Sequence, residues 1–304
     1  MTAIRLDGVT KRYGDVTAVN DLSLEVEEGE VFGFLGPNGA GKSTTIDLVL
    51  DFVRPTSGAV TVLGRDARAE SVAIRDRTGV LPEGFSVYHR LTGRQHLEFA
   101  IEAKDADDDP DALLDRVSLL DAADRKAGGY SKGMAQRLGL AMALVGDPDL
   151  LILDEPSSGL DPNGALAMRK IIREERDRGA TVFFSSHLLG QVEAVCDRVG
   201  ILRDGELVAE DSIDGLRRNV GSDGIFRIRT VSLSPAAVQQ VRDIDGVTDV
   251  ERDGDVLFVN CETADKTTVI TTLEAAGTTV EDFGTEEASL EDLFMAYTQD
   301  EVVR

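Results

Sequence analysis

The sequence predicts an α/β protein: a largely parallel sheet covered by helices, followed by a small α+β domain of ferredoxin-like order. Three observations predict it. Short apolar runs alternate with helical patterns through the first two hundred residues. A glycine-rich turn separates one of those runs from a helix. After Val220-Gly221-Ser222-Asp223-Gly224 the pattern changes to strand, helix, two strands, helix, strand, the order of a split βαβ domain.

The elements follow in order. Residues 3–9 and 19–27 alternate apolar and polar at period two, with turn signals at Gly14 and Glu28-Gly29, an antiparallel opening. Val31–Leu35 reads as a buried strand running through the glycine turn into a helix from Lys42 to Val53. Further strands are expected at 59–63, 78–81, 150–153, 181–185 and 199–202. Helices are expected at 92–103, 111–119, 132–145, 164–177 and 188–196. A strand pair around Gly205 and a helix at 212–218 close a first domain, 1–219. The second, 224–304, is expected to hold strands at 226–230, 247–252, 256–260 and 278–283. Its helices are expected at 235–243, 265–276 and 289–298.

The chain has 304 residues, 42% of them hydrophobic, enough to bury two cores. It carries 56 Asp plus Glu against 32 Lys plus Arg, a formal net charge of -24. That balance argues against nucleic acid as a partner, since phosphate backbones are held mainly by Lys and Arg. The carboxylates are spread along the chain, densest from Asp105 to Asp111, and the pattern suits a high-salt cytoplasm where ions screen their repulsion. Cys196 and Cys261 share no metal or redox spacing and read as reduced thiols. No run of about 18 apolar residues occurs, so no direct membrane span is expected.

Residues 36–43 read Gly-Pro-Asn-Gly-Ala-Gly-Lys-Ser, a G-x-x-x-x-G-K-[ST] loop between a predicted strand and a predicted helix. Polyphosphate needs several donors and no side-chain bulk. Gly36, Gly39 and Gly41 let the backbone turn its N–H groups inward, and the helix from Lys42 points its positive end there. Lys42 neutralises the β and γ phosphates, and the Ser43 hydroxyl is a ligand for Mg²⁺. By itself the loop specifies a nucleotide phosphate binder.

Leu150-Leu151-Ile152-Leu153-Asp154-Glu155-Pro156 is an apolar strand delivering two adjacent carboxylates at its end. Successive side chains face different ways. Asp154 therefore suits Mg²⁺, held through water, and Glu155 suits polarising the water that attacks the γ-phosphate.

Between these segments stands Tyr130-Ser131-Lys132-Gly133-Met134, and the full order adds Tyr13, Leu81-Pro82-Glu83, Ser158-Gly159-Leu160-Asp161 and Ser185-Ser186-His187. With these motifs the sequence resembles the ABC ATPase family over about residues 2–218. The resemblance implies a P-loop NTPase domain of the ABC ATPase type, with a mixed sheet core and a helical subdomain, using ATP and Mg²⁺. It implies that Tyr13 stacks on adenine, and that Gly36, Pro37, Asn38, Gly39, Ala40, Gly41, Lys42, Ser43 and Thr44 cradle the phosphates. His187 would contact the γ-phosphate and join Glu155 as a catalytic residue. Ser131 and Gly133 would meet the ATP of the opposite subunit, so that each nucleotide lies between two chains, and Asp161 of the D-loop would join the nucleotide site. Ser43, Glu83 and Asp154 would hold the metal.

Two positions depart from the commonest pattern: Glu83 stands where Gln is usual, and YSKGM replaces LSGGQ. Glu still offers oxygen to Mg²⁺, and Ser131 and Gly133 are retained, so ATPase activity is expected. Both changes, with Leu91-Thr92-Gly93-Arg94, look like exporter ATPases grouped with drug-resistance and copper-processing systems. The ending Ala288-Ser289-Leu290-Glu291-Asp292-Leu293-Phe294 is similar to the close of those subunits. The resemblance implies a transport-coupled ATPase on the cytoplasmic face of the membrane. Its partners would be a second ATPase subunit, identical or related, and integral membrane permease subunits on separate chains. The alternative is an ABC ATPase that remodels a complex without transport. Ribosomal relatives of that kind carry two ATPase domains and basic surfaces, and assembly-type relatives lack an appended C-terminal domain.

Overall fold

The structure is a computed structural model and describes residues 1–186, 189–219, 225–261, 265–286 and 289–298. It divides into two compact units, Met1–Ser212 and Ile213–Arg304, the division falling in front of the helix Ile213–Asn219. The expected boundary at 220–224, His187 and Ala288 lie outside the described residues.

The first unit holds two sheets. Thr2–Tyr13 pairs antiparallel with Val16–Glu27 on one side and Ser57–Val62 on the other, and Arg65–Asp66 completes a four-stranded sheet. The other has six strands in the order Glu206–Asp211, Arg198–Arg203, Val31–Leu35, Thr181–Ser185, Leu150–Asp154, Thr78–Leu81. All neighbours in it are parallel except the first pair, a hairpin. The sheet is therefore mixed. Val31–Leu35, Leu150–Asp154 and Thr181–Ser185 are buried at every position, as strands covered on both faces must be. Phe32 and Phe183 stack with ring centroids 5.9 Å apart and, with Phe34 and Phe184, are fully buried. Each such ring contributes about 1.5–3 kcal/mol through burial.

A helical insertion separates Thr78–Leu81 from Leu150–Asp154. It contains Gly93–Lys104, Pro110–Arg116 and Lys132–Ala143. Local chemistry starts each helix. Thr92 and Gln95 form a reciprocal capping box, Asp109 precedes Pro110 and accepts from Asp111 N, and Ser131 accepts from Met134 N. The helix Pro162–Arg178 begins on Asp161 and ends on Gly179 in the left-handed region. A short helix, Ser71–Asp76, lay outside the sequence expectation, and Leu189–Glu193 is shorter than the 188–196 expected.

In the second unit the strands lie in the order Val247–Asp253, Val256–Cys261, Ile225–Thr230, Val280–Glu286, all antiparallel. Pro235–Arg242 and Lys266–Ala275 bring Val238, Val241, Val269 and Leu273 onto Phe226, Ile228, Leu257 and Val259. This is the ferredoxin-like arrangement that the element order predicts. Among the described residues no helix is long and apolar enough to cross a membrane.

Candidate active site

The phosphate loop joins the C-terminal end of Val31–Leu35 to the helix Lys42–Val49, and glycine is required at two of its positions. A Cβ at Gly36 would stand 2.4 Å from the Leu202 carbonyl oxygen. Gly41 has φ 108, and a Cβ there would stand 2.4 Å from the Ala18 carbonyl oxygen. The loop is further tied down where Gly205 N donates to Ala40 O at 2.9 Å. Lys42 is 8% exposed, and its ammonium donates to Gly36 O at 2.7 Å and Pro37 O at 3.2 Å.

Asp154 ends Leu150–Asp154, the core strand one removed from Val31–Leu35 with Thr181–Ser185 between them, and Glu155 follows it. Asp154 pairs in register with Ser185, whose hydroxyl donates to the Asp154 carboxylate. The Glu155 N–H donates to Ser185 Oγ at 3.1 Å and Ser185 O at 3.2 Å. Glu155 has φ 49, so the chain leaves the sheet in a left-handed turn at the second carboxylate. The Glu155 carbonyl accepts from Gln136 Nε2 at 3.4 Å.

A pocket of about 320 Å³ brings the two segments together. Asn38, Gly39, Gly41, Lys42, Ser43 and Thr44 line it from the loop, Asp154 and Glu155 from the strand end, and Glu83 from the turn after Thr78–Leu81, with Ala18 completing the lining. One ammonium thus faces three carboxylates. Burial pulls the Lys42 pKa down, while Glu155, Asp154 and Glu83 work against that fall. Burial pushes Asp154 up, the Ser185 hydroxyl opposes the rise, and the charge of Glu83 adds to it.

Seven expected site residues among those described lie outside this lining: Gly36, Pro37 and Ala40 within the loop itself, and Tyr13, Ser131, Gly133 and Asp161 away from it. Tyr13 ends its strand, 47% exposed, with Lys11 Nζ 4.7 Å over its ring. Ser131 and Asp161 are exposed at helix starts, Asp161 accepting from Gly164 N at 2.9 Å. Gly133 is half-buried against the backbone of Gly159. Two residues that the sequence reading left without a role, Ser185 and Gln136, touch the strand end directly; a buried Gln inside an apolar helix was the available signal. A wider groove of about 790 Å³, lined by residues including Arg5, Glu25, Glu30, Arg198 and Glu210, contains internal ion pairs and no phosphate loop. The phosphate loop and the strand-end carboxylates line the smaller pocket.

Residues 19–158 match the family described as ABC transporter. The chain is 34% identical over 309 aligned residues to the daunorubicin resistance ATP-binding protein DrrA3 of Streptomyces coeruleorubidus, covering 99% of this chain and 97% of that one. The chain belongs to the ATP-binding proteins of ABC transporters. As a member it is an ATP-hydrolysing transporter subunit. Residues 212–298 match the family described as ATP-binding protein DrrA1-3-like, C-terminal domain. The bacitracin transport ATP-binding protein BcrA of Bacillus licheniformis is 37% identical, over 83% of each chain. Among solved structures, an ATP-binding subunit of an ABC transporter superposes with TM-score 0.67 at 29% identity, over 72% of this ABC protein and 93% of that chain. A bacterial Atm1-family ABC exporter with ATP bound gives 0.64 at 26% identity, over 71% and 40%.

Proposed function

We propose that this ABC subunit hydrolyses Mg²⁺-ATP at a site shared between two chains and drives export through a separate membrane permease. The observation that carries the reading is the convergence of Lys42 and Ser43 with Glu83, Asp154 and Glu155 in one pocket. Export is supported by similarity to DrrA3 along the whole length and by the matching C-terminal domain. That appended domain also argues against the complex-remodelling alternative.

In this reading the loop amides, with Lys42, hold the β and γ phosphates, and Tyr13 meets the adenine. Ser43, Glu83 and Asp154 offer oxygen donors of the kind Mg²⁺ prefers; among the described residues no group of three or more His, Cys, Asp or Glu could hold a metal alone, so phosphate and water would fill the other positions. Mg²⁺ held by these residues would neutralise phosphate charge. Glu155 accepts a proton from water as the water oxygen bonds to the γ-phosphorus. The bond from that phosphorus to the β–γ bridging oxygen breaks, and ADP leaves with the electron pair. His187 assists at the γ-phosphate. Ser131, Gly133 and Asp161 stand at exposed or half-buried helix starts and serve the ATP of the facing chain. The working unit is thus a dimer, of this chain or with a related one, at the cytoplasmic face of the membrane. The charge of -24 suits a high-salt cytoplasm.

The test is co-expression with a multi-helix membrane protein, taken from a gene beside this chain's where one is found. Copurification from membranes with ATPase activity altered by the partner is expected. A chain that stays behind in the soluble fraction, with activity indifferent to the partner, would sink the transport reading.

A further inference from the structure

The helix Lys132–Ala143 is keyed to the loop that follows Asp154 at three points on one face. Lys132 Nζ donates to Ser158 Oγ at 2.9 Å. Gly133 lies so close that a Cβ there would stand 2.8 Å from Gly159 O. One turn on, Gln136 donates to the Glu155 carbonyl. Positions 132, 133 and 136 share one face of a helix. The loop is fixed at both ends, by Ser185 on the Glu155 N–H and by the Asp161 cap on Gly164.

Gln136 is 7% exposed and shares its helix with buried Leu138, Leu140 and Ala141. A buried amide is unfavourable unless it bonds, and a leucine would pack as well. Its bond goes to the carbonyl of the residue proposed to activate water, whose φ of 49 is strained for a side chain with a Cβ. Ser185 holds one end of that peptide segment and Gln136 the other. The helix that carries Gln136 begins at Ser131, the segment read as meeting the facing chain's γ-phosphate.

We propose that Gln136 is a positioning residue that holds the Glu155 backbone in its left-handed turn, so that engagement of Ser131 by the facing chain's nucleotide aligns this chain's own Glu155. The inference rests on reading Glu155 as the base. It links the two ATP sites of a dimer through a single side chain in each subunit.

The experiment is a double-mutant cycle on the full chain, with single-turnover hydrolysis and ATP affinity both measured. Gln136→Met keeps the volume and removes the donor; Gln136→Glu keeps the length and removes the amide donor, and serves if the first variant does not fold. Either should lower the hydrolysis rate about tenfold, the worth of one lost hydrogen bond of about 1.4 kcal/mol, and leave ATP affinity within about twofold. In a Glu155→Gln background the same change should cost nothing further. A normal rate in both Gln136 variants, or an equal loss with and without Glu155, overturns the positioning role and leaves the base assignment standing. Full activity in Glu155→Gln alone overturns the base assignment and the proposal with it.

Discussion

Ser185 donates its hydroxyl to the Asp154 carboxylate across two paired strand ends, and the same oxygen accepts the Glu155 N–H at 3.1 Å. One buried side chain therefore holds the carboxylate of the proposed metal ligand and the backbone of the proposed base. A hydrogen bond to a charged group contributes about 1.5–3 kcal/mol, enough to matter for the proposed metal ligand Asp154.

Ser185→Ala should lower ATP turnover about tenfold or more, with Ser185→Thr close to the parent because it keeps the hydroxyl. The sign with pH follows from Asp154. Burial already raises its pKa and the Ser185 hydroxyl opposes that rise, so losing the hydroxyl raises it further. The acid limb of the pH–rate profile should move to higher pH in Ser185→Ala. An unmoved profile at full rate would show that the bond does not tune the site.

Asp154 should also be a liability to the nucleotide-free fold. With its folded pKa raised above the ordinary carboxylate value, the native state holds the extra proton between the two values. Stability therefore falls as pH climbs through that window, and the full penalty applies above the raised value. Asp154→Asn should raise the melting temperature without nucleotide, on the order of 2 °C, the shift that roughly 0.5–1 kcal/mol gives a domain of this size. It should abolish the added stabilisation from Mg²⁺ with ATP. Differential scanning calorimetry with and without Mg²⁺-ATP reads both, and a drop in the nucleotide-free melting temperature would contradict the argument.

The charge of -24 gives a third expectation. Self-repulsion among dispersed carboxylates weakens as ions screen it, the Debye length shrinking from about 10 Å at 0.1 M to about 3 Å at 1 M. Thermal unfolding should shift upward steadily from dilute to multimolar KCl. A melting temperature that is flat or falls with KCl would overturn the high-salt reading.

Much of this was legible because contiguous residues carried it. The loop 36–43 encodes its own geometry: Gly36 and Gly41 are needed where Leu202 and Ala18 carbonyls crowd the backbone. Burial of Leu150 to Leu153 was readable from their unbroken apolar run, and the strand carries it one residue further to Asp154. The contacts of Ser185 and Gln136 were not readable, since they join residues 31 and 19 positions apart through sheet register and helix docking, neither of which periodicity reports. The helix Ser71–Asp76 escaped because its six residues present a single buried apolar side chain, Ile74. Tyr13 shows the limit of motif order. Its ring is over a lysine at a strand end, and nothing local distinguishes that from a stacking platform for adenine.

The central claim, that Glu155 activates water at a site closed by a second chain, is tested most directly by Glu155→Gln on size-exclusion chromatography with ATP and Mg²⁺. The substitution keeps size and hydrogen bonding but removes the proton acceptor, so hydrolysis should fall about a hundredfold or more. ATP binding should survive, because Lys42, Ser43 and Asp154 remain around the phosphates. Unhydrolysed ATP should then accumulate a stable dimer, while Lys42→Ala stays monomeric under the same conditions. A Glu155→Gln chain that hydrolyses ATP at the parent rate, or binds ATP and elutes only as a monomer, would contradict the account.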